Sequence, residues 1–314
     1  MKLFLMLLTL TTVDYCLAKT ENQTNIDPKK NKLEKEEVLD NPTLKTLSGS
    51  LKKYSLYSSF TYRGASLEKP FGAERPNILN AQEKPGLVDM SGNLGIKYRA
   101  SKADNFSLQL GLYSTTPFHN SIETENQKNQ EAYDANGQQV DADDPVFSYF
   151  KTYYLGSFQN VSFFQYQYVT RGIYRDFGLH SAFSFSHATA YRINKAFYIA
   201  ASISYQNFQY DKTSVNIGGR VYSLATRQTD DTLKANLSTE FYLKRNISFR
   251  YIMDIASYYR MRWQSEIENR DFQQTLAMTY FFNRDVSISP NIRFVTTDIR
   301  DDRTNIGLSM NLNI

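Results

Sequence analysis

Hydrophobic and polar residues alternate with a period of two from Thr232 to Trp263. Before a short break at residues 244–246, the apolar positions are Leu233, Ala235, Leu237, Phe241 and Leu243; after it they are Ile247, Phe249, Tyr251, Met253, Ile255, Tyr259, Met261 and Trp263. Because successive side chains of a strand point to opposite faces, this stretch predicts a long β-hairpin with one apolar and one charged face. The hairpin sets Glu240 opposite Arg250 on the charged face, where we expect an ion pair.

The same alternation recurs along the chain, in runs longer than the roughly five or six residues of an ordinary soluble strand. Besides the hairpin, we predict strands at residues 51–63, 87–100, 105–116, 146–158, 161–171, 179–192, 197–210, 272–282, 286–297 and 305–314. A strand that crosses a membrane needs about 9–11 residues. The repeated length therefore favours about twelve membrane-spanning strands with apolar residues toward lipid and polar residues toward a wet lumen.

The connections between the predicted strands alternate between short turns and longer loops. The three long connections are residues 64–86, 117–145 and 211–230. An even number of antiparallel strands, with short periplasmic turns and long extracellular loops, is typical of outer-membrane barrels. We therefore predict an all-β fold, a closed antiparallel transmembrane β-barrel whose two termini lie in the periplasm. Pro290 lies inside one strand and cannot donate to the ladder, so we expect a bulge or bend there.

Composition excludes several classes of protein. The chain of 314 residues contains no run of eighteen apolar residues, so it has no helical membrane span. It contains 23 Tyr and 21 Phe, residues that suit strands and the membrane–water interface. The net charge is only +4 and the basic residues are scattered, so nucleic acid is not an expected partner.

The N-terminal residues divide into two regions before the barrel. Residues 1–18 have the short basic, apolar and small-residue order of a signal peptide, with cleavage expected after Ala18. Cys16 also allows a lipoprotein interpretation, although the residues before it form a poor lipobox. Residues 19–48 are polar and rich in Lys and Glu, which predicts a flexible or partly helical periplasmic segment. The alternative for this segment is a plug or an arm that binds a partner; residues 49–314 form the predicted barrel.

The polar faces of the predicted strands carry more basic than acidic residues. The candidate lumen and selectivity residues are Lys97, Arg99, Lys234, Glu240, Arg250, Asp254, Arg260 and Arg293. A lumen lined by one sign of charge selects ions of the opposite sign, so an open pore would favour anionic solutes. The alternative is that these charges pair with one another and fill the lumen, as in small barrels.

By this pattern the chain resembles a Gram-negative outer-membrane β-barrel over residues 49–314. The stretch from Ile306 to Ile314 resembles the C-terminal signal that the barrel-insertion machinery recognises, although it ends in Ile rather than Phe or Trp. The resemblance implies a location in the outer membrane, contact with its lipid and lipopolysaccharide, and no cofactor. The favoured function is a narrow passive channel for small hydrophilic solutes.

Two other functions stay open: a lipid hydrolase built on a twelve-stranded barrel, and a plugged structural or adhesive barrel. The hydrolase family that acts in the outer membrane uses a His-x-Ser-Asn-Gly sequence, which is absent here. The nearest His and Ser residues are His180 with Ser181 and His187 with Ser184 or Ser186, so no catalytic residue is predicted. The acidic loop at residues 117–145 could bind Ca²⁺ or fold into the barrel mouth, but its spacing matches no calcium loop, so no metal site is predicted.

Overall fold

The structure is a computed structural model that describes residues 38–76, 78, 86–119, 140–217, 219–224, 228–262 and 264–314. The predicted signal peptide, Trp263 and most of the acidic loop lie outside these residues.

The described chain forms a closed antiparallel barrel of twelve strands. We number them β1 (Tyr54–Ser66), β2 (Asp89–Arg99), β3 (Asp104–Thr115), β4 (Val140–Leu155), β5 (Phe158–Tyr168), β6 (Leu179–Arg192), β7 (Phe197–Tyr210), β8 (Thr229–Lys244), β9 (Ile247–Met261), β10 (Gln273–Phe281), β11 (Val286–Val295) and β12 (Asn305–Asn313). Each strand pairs with its neighbours in sequence, and β1 pairs with β12. Because every strand has two partners, the ladder has no open edge, as a barrel in lipid requires.

In the described residues, two helices, two pairs of short strands and one further short strand add to the twelve strands of the barrel wall. The helices are α1 (Pro42–Ser48) and α2 (Gly172–Asp176). Glu74–Arg75 pairs with Gly86–Leu87, Ser214–Ile217 pairs with Arg220–Ser223, and Glu268–Asn269 pairs with β9. None of the helices in the described part of the chain is long and apolar enough to cross a membrane.

The outer surface of the barrel is apolar. Its exposed side chains include Leu56, Ile96, Leu108, Phe147, Phe164, Phe183, Ile199, Leu237, Phe249 and Ile255. An aromatic cluster continues this surface across β3 to β6, with ring centroids 5.1 Å apart for Phe106 and Tyr149, and 4.8 Å apart for Phe164 and Phe185. A surface of this kind is favourable against acyl chains and unfavourable against water, so the predicted orientation of the two faces holds for these strands.

The predicted strands lie within three residues of the observed ones except at the start of β4, and β6 and β7 have the predicted bounds. Because β4 begins at Val140 and not at Val146, the last six residues of the long connection expected at residues 117–145 belong to the barrel wall instead. The turn expected at residues 159–160 is wrong, because the chain turns at residues 156–157 and Gln159 belongs to β5. No bulge occurs at Pro290, but the ladder to β10 is interrupted there, since the pairing goes from Ala277–Asn291 directly to Tyr280–Ile288. Pro290 pairs with Leu308 without a register shift, and beside it the hydroxyls of Thr279 and Ser289 lie 2.9 Å apart.

A bulge does occur in the hairpin of β8 and β9, where the sequence pattern gave no sign of one. Asn236 pairs with Asp254, whereas the preceding Ala235 pairs with Ala256, so β9 contains an extra residue at this point. The extra residue reverses the inward and outward positions that follow it. Ser257 is accordingly buried and Tyr258 exposed, the opposite of the faces that simple alternation predicts.

Candidate functional site

The barrel has one end with short turns, which we call the turn end, and one with long connections, which we call the loop end. At the turn end, residues 38–51 lie inside the barrel; we call them the inner segment. Their hydrogen bonds reach β2, β5, β8 and β12, which are distributed around the whole circumference. A segment that contacts opposite walls through inward-facing side chains must occupy the lumen between them.

Glu240 of β8 holds the first residues of the inner segment. Its carboxylate accepts hydrogen bonds from Asn41 Nδ2 at 3.1 Å, Thr43 Oγ1 at 2.6 Å and Ser248 Oγ at 2.8 Å. Across the lumen, Gln159 Oε1 accepts from the backbone N–H groups of Asp40 and Asn41 at 2.7 and 2.8 Å. A buried carboxylate needs such donors to compensate for lost hydration, so Glu240 and the inner segment stabilise each other.

Asn41 also fixes the start of α1. Its side-chain oxygen accepts from Leu44 N–H at 2.9 Å, and Pro42 occupies the first turn. Asn is a favoured N-cap residue and Pro is tolerated in the first turn, so the sequence Asn-Pro begins the helix locally. Asn41 therefore links formation of α1 to its attachment at Glu240.

Basic side chains hold the end of the inner segment by its backbone carbonyls. Lys97 Nζ donates to Ser48 O at 2.8 Å and Ser50 O at 2.7 Å, and Arg99 Nη1 donates to Leu51 O at 2.9 Å. Gly49 lies between these carbonyls with φ of +76°, and a Cβ there would lie 2.7 Å from Lys97 Nζ. The position therefore needs glycine for both its backbone conformation and its space.

The inner segment also packs on an apolar patch of the lumen wall. Leu39 and Leu44 form a buried cluster with Val161 of β5 and Ala190 of β6. Partly buried residues around this cluster are Leu47, Phe163, Ala188 and Ala200. Apolar residues facing a lumen have no role in solvating it, so this patch serves to bind the inner segment.

Several predicted lumen residues have roles that differ from the predicted ones. Lys97 is only 1% exposed, and it and Arg99 bind the inner segment rather than lining open water. Glu240 and Arg250 are in register, as predicted, but the expected ion pair is absent. Glu240 accepts instead from the inner segment, and Arg250 Nε has no hydrogen-bond partner. Lys234 and Asp254 form an ion pair at 3.0 Å.

The structure contradicts the predicted lumen position of Arg260. It follows the β9 bulge and shares a face with Tyr258 and Asp231, so it lies on the outer side of the wall at the loop end. There its guanidinium pairs with Asp230 at 2.8 Å and with Asp231. The reversed alternation after the bulge is the physical reason for the difference.

Charged residues gather in the lumen toward the loop end. Asp89 of β2 binds Arg63 Nε of β1 at 2.8 Å and Arg75 Nη1 at 3.4 Å, and Arg293 of β11 lies within electrostatic range of Arg63 and Asp89. Arg75 belongs to a loop strand and was not among the predicted residues; its position depends on how that loop folds, which alternation does not report.

An aromatic and cationic group lies on the neighbouring part of the same wall, where Tyr113 of β3 pairs with Ser91 and Thr115 with Asp89 of β2. The Arg171 guanidinium stacks 3.7 Å from the ring centroid of Tyr113 and 5.2 Å from that of Tyr174 in α2. Burial raises the pKa of Tyr174 above its ordinary value. Asp144 accepts from the N–H groups of Thr170 and Arg171 and thereby holds the chain at the end of β5.

The His and Ser residues do not form the pairs that sequence neighbours suggest. His187 Nδ1 lies 2.9 Å from Ser162 Oγ, a residue of the adjacent strand, and the two are paired across β5 and β6. Both belong to the outward-facing positions. In the described part of the chain, His187 makes no further hydrogen bond that would orient it as a base. The pair satisfies two polar groups on an apolar wall and has no partner set for catalysis.

Comparison with known proteins establishes the fold. No family model matches the sequence, and no curated protein matches it. An outer membrane channel from Pseudomonas putida F1 is similar in structure, with 10% identity and a TM-score of 0.53 over 84% of this chain and 97% of the channel. The toluene transporter TodX from Pseudomonas putida has 13% identity and a TM-score of 0.43 over 88% of this chain and 95% of TodX. The KdgM porin in complex with disordered oligogalacturonate has 8% identity and a TM-score of 0.42, over 83% of this chain and 99% of KdgM. The likeness to the first of these structures shows that the chain has the closed barrel fold of an outer-membrane channel.

Proposed function

We propose that this protein is an outer-membrane channel for small hydrophilic solutes, whose lumen is closed at the turn end by the inner segment. The observation that carries the proposal is the contrast between the two faces of the wall. The outside presents Leu, Ile and Phe, and the inside carries charged and hydroxyl side chains such as Arg63, Lys234 and Asp254. A structural barrel needs the apolar exterior but not a charged, partly exposed interior.

The size of the barrel agrees with a narrow pore. Barrels of about eight strands are filled by side chains, whereas those of about sixteen to eighteen leave an aqueous channel. Twelve strands lie between these cases, so one short helix is enough to close the interior. Conduction then requires the inner segment to leave its site or to shift within it.

The orientation and assembly belong to the same proposal. The turn end faces the periplasm, where the predicted signal peptide would leave the N-terminus, and the loop end faces outward. The last strand presents Ile306, Leu308, Met310 and Leu312 to lipid and would be the part that the insertion machinery binds. Outer-membrane lipid and lipopolysaccharide would surround the apolar wall.

Swelling of liposomes in iso-osmotic sugar solutions tests the proposal. We expect purified protein lacking residues 19–50 to admit small sugars such as arabinose and to exclude a large one such as stachyose. Liposomes that contain the full-length protein should swell more slowly, because the inner segment closes the lumen in most protein molecules at any time. Absence of swelling by both proteins, once correct folding is shown by heat-modifiable mobility, would favour a structural barrel over a channel.

A further inference from the structure

Two arginine residues bind one carboxylate inside the loop end of the lumen, and a third arginine lies near them. Asp89 accepts from Arg63 and from Arg75 through different oxygens, at 2.8 and 3.4 Å. Arg63 and Asp89 face each other across β1 and β2, and Arg75 is brought in by the short strand Glu74–Arg75 of the connecting loop. The loop therefore places a second cation beside an existing ion pair, which indicates a functional role for the excess positive charge.

Arg293 adds a third cation without adding an anion. It lies on the inward face of β11, near Arg63 and Asp89, and makes no hydrogen bond or ion pair within the described residues. Asp254, the other nearby carboxylate, is already paired with Lys234 at 3.0 Å. Among the described residues, Asp89 is therefore the only carboxylate that forms an ion pair with any of the three arginines, and these four side chains together carry a net positive charge.

Arg63 makes the cluster accessible from solvent. The Arg63 side chain is 46% exposed although it faces the lumen, and it uses only Nε to bind Asp89. A guanidinium carries five N–H donors in a planar fork that matches carboxylate and phosphate oxygens. Arg63 and Arg293 thus retain donors that can reach a solute in the lumen.

We propose that Arg63, Arg75 and Arg293 form a binding site for solutes that carry a carboxylate or phosphate group. The proposal rests on the proposed channel, for which it supplies the class of solute. Asp89 has two effects here. It orients Arg63 and Arg75, and it lowers the affinity of the site for the anion enough for the anion to be released. A pore must bind its solute weakly enough to let it leave, so a partly neutralised cluster suits conduction better than a fully cationic one.

Calorimetric titration of the full-length barrel in an uncharged detergent, with inorganic phosphate and with succinate as probes, tests the site. Arg75→Gln and Arg293→Gln should each weaken binding about tenfold, because each removes charge-assisted donors. Asp89→Asn should tighten binding several-fold, because it removes the competing carboxylate. Arg300→Gln is the matched control, since it removes the same charge from an exposed loop where Arg300 pairs with Asp298.

The opposite signs expected for Arg75→Gln and Asp89→Asn separate a binding role from a structural one. Variants that merely disturb folding would weaken binding together and would lose the heat-modifiable mobility of the barrel. The site is overturned if neither probe binds the wild-type barrel, if Arg75→Gln and Arg293→Gln bind as the wild type does, or if Asp89→Asn weakens binding. The titration does not need conduction: a barrel that binds phosphate but fails to swell liposomes would refute the channel and leave the site, and the reverse result would refute the site alone.

Discussion

Replacement of Glu240 by alanine is expected to release the inner segment and to raise the ratio of open to closed channels about thirtyfold. The carboxylate receives hydrogen bonds from both Asn41 and Thr43 in the closed state. Loss of a charged acceptor leaves these buried donors unsatisfied and costs the closed state ~2 kcal/mol. A free-energy change of 1.4 kcal/mol corresponds to about a tenfold change in an equilibrium constant, so a cost of ~2 kcal/mol corresponds to about a thirtyfold change in the ratio of open to closed channels.

Single-channel recording of the Glu240→Ala protein in a planar bilayer measures this ratio as open probability. Glu266→Ala is a suitable control, because Glu266 is exposed in the connection between β9 and β10 and lies outside the lumen. An open probability that stays at the wild-type value would mean that Glu240 does not hold the inner segment. A similar rise in the Glu266→Ala protein would indicate a general effect of charge instead.

The second large effect concerns the outer wall. Leu237→Arg should lower the free energy of unfolding in phospholipid vesicles by ~2–4 kcal/mol, the cost of an arginine on the lipid face near the bilayer midplane. Leu237 lies in the middle of β8 and is exposed on its outer side. Equilibrium unfolding in urea, followed by tryptophan or tyrosine fluorescence, measures the difference.

Asn236 is the matched control for that substitution, because it is the neighbouring residue and faces the lumen opposite Asp254. Asn236→Arg places the new charge in water beside a carboxylate, so we expect a loss of no more than about 1 kcal/mol, from the bond that Asn236 accepts from Ser202. Equal destabilisation by the two substitutions would contradict the assignment of inner and outer faces.

Alternation predicts the barrel well because the same constraint acts on every strand. Lipid on one side and water on the other select apolar and polar residues with a period of two, and β6 and β7 follow this pattern except for one register shift between Leu179 and Ser181. The pattern fails after the bulge in β9, because one extra residue changes the face without changing the composition. Simple alternation therefore places Arg260 in the lumen, whereas the pairing of the strands places it on the outer face.

The inner segment is harder to predict, because alternation reports which side chains face the lumen and not what else enters it. Glu240 and Arg250 are a plausible ion pair from the hairpin alone. The donors that the inner segment supplies to Glu240 lie far earlier in the chain, with Asn41 and Glu240 separated by 199 positions. Local sequence patterns also do not predict the role of Gln159, which binds the other side of the inner segment.

Ion conductance of the full-length protein, compared with that of protein lacking residues 19–50 in the same planar bilayer, tests most directly whether the barrel holds a water-filled lumen closed by its own chain. A closed lumen predicts brief, rare openings for the full-length protein and a persistently conducting pore after deletion. Identical currents from the two folded proteins, whether both silent or both open, would contradict this arrangement.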